Sequence, residues 1–226
     1  MAPAVRLITI SMPQSNAFLL KGEKTVLVDT GVPGSQERIL GRLKKAGIKP
    51  EELALIFLTH GHIDHRGSAK ALRELTGAKV AIHQADADMA RGLDVRPPKP
   101  ATPLGQMAAL AMRGARKSPE AIFEPDITFS GGFDLRPYGV AAQAIHTPGH
   151  TDGSTTVVLQ GGEAIVGDLV MADFPRMRTP GLPIFVEDMR QLRASVALVL
   201  SLNPTLIYCA HGGPFKPEAV RRQFGL

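Results

Sequence analysis

The sequence predicts an α/β protein of layered sheets and helices, on three observations. Short continuous apolar runs of strand length recur along the chain, segments with helical spacing of apolar residues fall between them, and clusters of Gly, Pro, Asn and Ser punctuate both. With 226 residues, the chain fits one domain, 1–226, under a prior of roughly 100–200 residues each stretched for layered folds. Apolar residues at 44% can fill a core and charged residues at 21% keep it soluble, so a disordered chain is excluded.

Taken in order, the apolar runs 5–10, 17–20 and 25–28 are separated by Pro13-Gln14-Ser15-Asn16 and by Lys21-Gly22-Glu23-Lys24, which are strand and turn signals. After Asp29-Thr30-Gly31 and a Pro33-Gly34 break, Ile39, Leu40 and Leu43 recur at helical spacing from a Ser35 cap until Gly47 ends the helix. Residues 53–58 form a continuous apolar strand. The polar stretch Thr59-His60-Gly61-His62-Ile63-Asp64-His65-Arg66-Gly67 follows at once, then a helix over 68–75 and a strand over 79–82. That polar cluster therefore occupies a strand-to-helix loop, and in open α/β sheets loops at the carboxyl ends of strands bind ligands.

Residues 92–120 break the rhythm, with prolines at 97, 98, 100, 103 and 119 and an apolar patch from Met107 to Met112 among Arg113, Arg116 and Lys117. The stretch reads as an insertion with one short helix, a lid or a surface excursion. Strands resume at 127–129, 133–135, 140–145, 155–159 and 164–166, a helix falls near 186–200, and a strand over 205–210 ends at His211. Strands followed by helices in both halves imply two similar layers facing each other.

The lone cysteine, Cys209, cannot form an intramolecular disulfide and reads as a small core residue. The first thirteen residues lack a secretory h-region and no run approaches the ~18 apolar residues of a membrane span, so a reducing cytoplasm is the expectation. The formal charge of +5 bears on solubility and steering, not on ligand identity. No stripe of aromatic and basic residues suggests stacked bases, which argues against nucleic acid as partner.

Five of the seven histidines sit in three short segments, His60-Gly61-His62-Ile63-Asp64-His65, Thr147-Pro148-Gly149-His150-Thr151 and His211-Gly212-Gly213. Imidazole with carboxylate suits zinc, with iron or manganese as competing tenants, and the absence of clustered cysteines argues against a structural thiolate site. Four ligating residues within six positions cannot all reach one ion from a compact loop, but they can serve two. His60 and His62 could face one metal and Asp64 and His65 another, with His150 and His211 completing the separate sites and Asp168 bridging them. His83 and His146 match no motif position and read as surface or supporting residues.

The pattern His60-x-His62-x-Asp64-His65, then His150, Asp168 in Gly167-Asp168, and His211, together with Val28-Asp29-Thr30-Gly31, resembles the metallo-β-lactamase superfamily over nearly the whole chain apart from 92–120. The resemblance implies a four-layer αββα sandwich with a dinuclear site at one sheet edge. It implies that His60, His62 and His150 bind the first metal, that Asp64, His65 and His211 bind the second, and that Asp168 bridges. Asp29 looks like the family's supporting carboxylate, which orients a ligand histidine through its other N–H.

The expected activity is hydrolysis of a thioester, lactone or other ester-like carbonyl by hydroxide shared between two zinc ions, with Asp64 as the catalytic residue orienting it. A carboxylate at 168 resembles the glyoxalase II and lactonase branches more than true β-lactamases. Neither branch matches cleanly. Position 171 is Met where such lactonases often carry tyrosine, and 15 residues follow His211 where glyoxalase II enzymes usually add a helical domain. A mononuclear-iron persulfide dioxygenase, a β-lactamase, a phosphodiesterase or nuclease, and an inactive binding protein are the alternatives. A small-molecule substrate is expected in a pocket built by 92–120 and 171–185, with Met171, Phe174, Arg176, Met177 and Arg178 as its candidate residues and an arginine to receive a carboxylate. Sequence leaves the oligomeric state open, a homodimer included.

Overall fold

The computed structural model of the chain describes residues 4–94, 97–111 and 118–226. Its first sheet has six strands in sequence order: β1 (Arg6–Ile10), β2 (Ala17–Lys21), β3 (Thr25–Val28), β4 (Leu53–Phe57), β5 (Lys79–His83) and β6 (Ile127–Phe129). The first three are antiparallel, whereas β3 to β6 run parallel through crossover connections. In the second sheet the order is β13-β10-β9-β8-β7, from β7 (Phe133–Asp134), β8 (Ala142–His146), β9 (Thr155–Leu159), β10 (Glu163–Ile165) and β13 (Leu206–Tyr208). A separate hairpin pairs β11 (Met171–Ala172) with β12 (Pro180–Gly181).

The continuous apolar strands of the first half are explained by their two covered faces. Phe18, Leu20, Val26, Val28, Leu55 and Phe57 point inward against Ala144, Val157, Leu159 and Ile165 of the other sheet. Their neighbours Leu19, Leu27 and Ile56 point outward against Ile39 and Leu43 of α1 (Gln36–Lys45) and Leu72 of a later helix (Ala69–Thr76). Between those two helices lies α2 (Ile63–Arg66), so Ala69–Thr76 is α3; α4 (Ala87–Ala90) and α5 (Pro103–Ala111) follow. On the far side, Ala164 and Ile207 of the second sheet's outer face meet Leu192, Val196 and Val199 of α6 (Met189–Ser201) and Val220 and Phe224 of α7 (Pro217–Phe224). Helices, sheet, sheet, helices: this is the αββα sandwich.

Several boundaries differ from the sequence expectation for identifiable reasons. Ser35 occupies the cap position of α1 but makes no side-chain cap bond; its N–H donates to Ser68 Oγ at 2.9 Å instead. The helix expected near 186–200 starts at Met189, because Asp188 caps it by accepting N–H groups from Arg190 and Gln191 at 2.8 and 2.9 Å. The strand expected over 205–210 is only Leu206–Tyr208, since Cys209 and Ala210 leave the ladder to present His211. Helix α7 was not anticipated, although Pro217 in its first turn and Gly225 just beyond its end are ordinary helix signals. Within the insertion the short helix is α5; Met112, Arg113, Arg116 and Lys117 lie outside the described residues. Among the described residues no helix is long and apolar enough to cross a membrane.

Candidate metal centre

The histidine-rich segments each follow the carboxyl end of a strand: β4 leads to His60, β8 to His150, β10 to Asp168 and β13 to His211. Parallel strands and the facing of the two sheets bring these four ends to one edge of the sandwich. There the seven sequence-predicted ligating residues converge in three overlapping groups, His60, His62 and His150; His60, His65 and Asp168; and Asp64, His65 and His211. Within each group the ligand atoms lie within 4.8 Å of one another.

In the first group His150 Nε2 stands 3.2 Å from His60 Nε2 and 2.9 Å from His62 Nδ1, and the latter two are 3.2 Å apart. Nitrogens bound tetrahedrally at ~2.05 Å from one zinc ion would lie about 3.3 Å apart, so this spacing fits a cation at their centre. The opposite ring nitrogens fix the tautomers. His150 Nδ1–H donates to the Phe185 carbonyl at 2.8 Å, and His60 Nδ1–H donates to Thr59 Oγ1 at 3.1 Å while that hydroxyl donates to Asp29 Oδ2 at 2.8 Å. Both Nε2 atoms thus offer lone pairs inward. Burial, with the neighbouring imidazoles, keeps His60 well below the usual histidine range; burial also lowers His62 and brings His150 down to about 4. The trio is neutral at physiological pH, the form that binds metal.

The second group is carboxylate-rich. His211 Nε2 lies 3.2 Å from both Asp64 Oδ2 and Asp168 Oδ2, and His65 Nε2 lies 3.4 Å from Asp168 Oδ1 and 3.7 Å from Asp64 Oδ2. Asp168 also reaches the first group, with Oδ2 at 3.5 Å from His150 Nε2. Burial opposes charge here, yet Asp168, Asp64 and Asp29 outweigh it at His65, which is pushed well above its ordinary range. The Asp168 and Asp64 carboxylates likewise raise His211 to about 10 against the effect of burial. Both carboxylates are in turn driven down, despite burial, by His65 and His211. Among the described residues, His65 Nε2 and Asp168 Oδ1 are buried without a hydrogen-bond partner. Orphaned buried polar atoms on facing ligands are what a divalent cation would satisfy, displacing protons as it binds.

Asp29 supports this group from behind. Its Oδ2 accepts the His65 Nδ1–H at 2.9 Å and its Oδ1 accepts the Thr59 N–H at 2.8 Å, in a fully buried setting with a positive φ of 60°.

Sequence reasoning missed four supporting residues. Asp86, fully buried, accepts N–H groups from Gly61 and Gly153 at 2.8 Å each and the Thr151 hydroxyl at 2.7 Å, tying the His60 loop to the His150 loop. A Cβ at Gly153 would sit 2.5 Å from the Asp86 carboxyl carbon, so only glycine allows that approach. Nothing in Gln84-Ala85-Asp86-Ala87 marks this residue in advance. Asn16 donates from its backbone to the Ala210 carbonyl at 2.7 Å and from Nδ2 to the Cys209 carbonyl at 3.2 Å, steadying the His211 loop, while the Ser15 hydroxyl donates to the Asp64 carbonyl. Arg66 is 9% exposed and donates Nε–H to the Gly61 carbonyl at 2.7 Å and Nη1–H to the Ala121 carbonyl. Its position directly after His65 was the one visible signal.

The groups open into a cleft of about 580 Å³. Of the five residues expected to line a pocket, Met171 does so; Phe174, Arg176, Met177 and Arg178 sit on the exposed turn of the β11–β12 hairpin. That turn is closed by Asp173, whose Oδ1 accepts the Arg178 and Thr179 N–H groups at 3.0 and 2.8 Å, and it carries these side chains toward solvent. The walls come instead from Val32, Ile63, Met89, Ile184 and Phe185, and from Pro97, Pro98, Ala108 and Ser118 of the insertion. Cys209 is buried and burial pushes its thiol far up, which removes it as a nucleophile. His83 and His146 stack on each other at 4.2 Å, apart from the ligand groups.

A cleft lined by clustered histidines and carboxylates at one edge of an αββα sandwich defines a metal-binding protein of hydrolase type. Residues 12–211 match the metallo-beta-lactamase superfamily, and the chain belongs to that family. It is 27% identical over 203 residues to the probable metallo-hydrolase MJ0888 of Methanocaldococcus jannaschii, spanning 88% of this chain and 87% of that one. It is 29% identical over 208 residues to the probable metallo-hydrolase YflN of Bacillus subtilis, spanning 87% and 78%. Among solved structures it is similar to TTHA1623 in a di-iron-bound form, with a TM-score of 0.69 and 26% identity over 96% of this chain and 98% of that one. Family and donor set together support a metal-dependent hydrolase.

Proposed function

We propose that the chain is a dinuclear metal-dependent hydrolase that cleaves a thioester, lactone or other ester-like carbonyl bond. The observation that carries this reading is Asp168, whose two oxygens reach His65 on one side and His150 and His211 on the other, so that one carboxylate links two three-residue donor groups. His60, His62 and His150 would hold the first cation and Asp64, His65 and His211 the second, with Asp168 shared. Zinc suits this donor set, and the di-iron form of TTHA1623 keeps iron as the competing tenant. Bound there, the cations supply Lewis acidity, polarising a carbonyl and making water ionisable at neutral pH.

The protein's own residues do the rest. Asp64 is the more exposed of the two carboxylates, 28% against 6% for Asp168, which supports assigning to it the orienting of the attacking water and the holding of its proton. Asp29 keeps His65 in the tautomer with Nε2 bare, and the Phe185 carbonyl does the same for His150. Val32, Ile63, Met89 and Phe185 exclude water around a small acyl group, which strengthens every charge interaction in the cleft.

The test is a side-by-side assay of thioesters, lactones, β-lactams and phosphodiesters with zinc-loaded and iron-loaded protein, alongside metal analysis. Two metal ions per chain with thioester or lactone turnover, lost in Asp64→Ala together with part of the metal, is the expected result. Unchanged hydrolysis in Asp64→Ala would refute the scheme, and one iron per chain with thiol-dependent oxygen uptake would replace it by dioxygenation.

A further inference from the structure

Among the described residues, Arg66 is the one arginine or lysine that lines the cleft, and no carboxylate pairs with it there. It lines the cavity beside His62, Asp64 and His150, is 91% shielded from solvent, and makes two hydrogen bonds, both to backbone carbonyls. A guanidinium has five N–H donors, so three on Nη1 and Nη2 remain without an acceptor among the described residues. None of the ion pairs among the described residues includes Arg66; the pairs at Arg73, Arg91 and Arg136 show what a satisfied arginine looks like in this chain. A shielded charge without a counter-ion is unfavourable, and two carbonyl dipoles offset only part of that. The other acidic residues lining the same cavity, Asp94 and Glu187, each have interactions of their own.

We propose that Arg66 is an anion subsite of the cleft and that the substrate carries a carboxylate on its acyl portion, received by the free N–H groups of Arg66 while the scissile carbonyl lies at the ligand cluster. The inference rests on the hydrolase reading and names its substrate class. A planar carboxylate matches the guanidinium fork and completes its hydrogen bonds. The simpler role for Arg66 is a brace holding the His60–His62 loop to residue 121, and the experiment separates the two.

The test compares the phenyl thioester of glutaric acid, with its free terminal carboxylate, against the terminal amide of the same compound. The metal-loaded wild type is expected to favour the acid by about 10- to 100-fold in kcat/KM, the usual weight of a charge-assisted contact, mostly through KM. In Arg66→Gln and Arg66→Lys the preference should collapse, completely in the first and partly in the second. Calorimetric titration of glutarate and of inorganic phosphate onto the same proteins gives a readout independent of turnover; glutarate binding should be lost in Arg66→Gln. Equal use of acid and amide by the wild type, with glutarate binding indifferent to the substitution, would leave Arg66 as a brace and overturn the proposal while the hydrolase reading stands. Loss of phosphate binding alone would overturn the carboxylate assignment. If neither thioester is cleaved the hydrolase reading for this bond fails, and the glutarate titration still decides the subsite. Should Arg66→Gln not fold, the wild-type preference and Arg66→Lys decide it.

Discussion

Asp86→Ala separates the scaffold of the site from its ligands, because Asp86 touches none of them and yet joins the two loops that carry His60, His62 and His150. Three donors would lose their acceptor. The Thr151 hydroxyl can turn to Ser154 Oγ, 2.8 Å away, and costs little. The Gly61 and Gly153 N–H groups are buried, belong to the backbone and cannot turn. Each orphaned N–H costs about 1–3 kcal/mol, so the loss is about 2–6 kcal/mol before any offset. Removing the carboxylate also removes its own desolvation, visible as a pKa raised by burial in spite of three hydrogen bonds, which brings the expectation to about 2–4 kcal/mol. For a chain of this size that is a fall in Tm of roughly 4–16 °C, read by thermal or urea unfolding of the chelator-treated protein. Metal affinity at the His60–His62–His150 group should fall by about 10- to 100-fold, read by chelator competition. A stability within about 0.5 kcal/mol of wild type, together with unchanged metal affinity, would refute the account of Asp86 as the clamp.

Other perturbations probe the remaining parts. In Asp29→Asn, an amide NH2 must face either the His65 N–H and Thr59 hydroxyl on one side or the Thr59 N–H on the other, so the second metal should weaken by about 10- to 100-fold and more than the first; metal counting during chelator titration would show one ion leaving early. The chelator-treated protein should lose stability as pH falls from about 6.5 to 4. Over that window the unfolded chain protonates His60, His62, His150 and His83, whereas burial holds the native His150 and His83 near 4 and the other two below their usual range. The unfolded state then binds more protons, and His150 alone contributes about 3 kcal/mol that is present above 6.5 and gone below 4. His65 and His211, raised by their carboxylates, act in the opposite direction and at higher pH, their contribution being lost as pH rises toward the native value of about 10 for His211. Urea midpoints that stay flat between pH 7 and 4 would contradict this assignment.

Much of the molecule was legible before folding. The candidate ligating residues were readable because metal chemistry restricts the residue types, and all seven lie within three residues of a glycine. The strands were readable for a related reason: burial on both faces leaves continuous apolar runs such as 17–20 and 53–58, which no surface segment could afford. Elements whose signal is a cap rather than a run, such as α7 and the start of α6, were missed or misplaced by a few residues.

Amino-acid order thus determined the layered α/β class and the segments that carry the seven converging side chains, which follow from residue type and local spacing, while the αββα arrangement and the place of Asp29 behind His65 came from the family resemblance those motifs carry. Tertiary structure alone decided that Asp86 clamps two loops 88 residues apart at His62 and His150, that the expected pocket residues after Met171 turn outward, and that Arg66 stands shielded in the cleft with donors to spare. The reason is physical: a carboxylate or guanidinium looks the same in sequence whether it is solvated or enclosed, and only the packing of distant segments sets which donors and acceptors surround it.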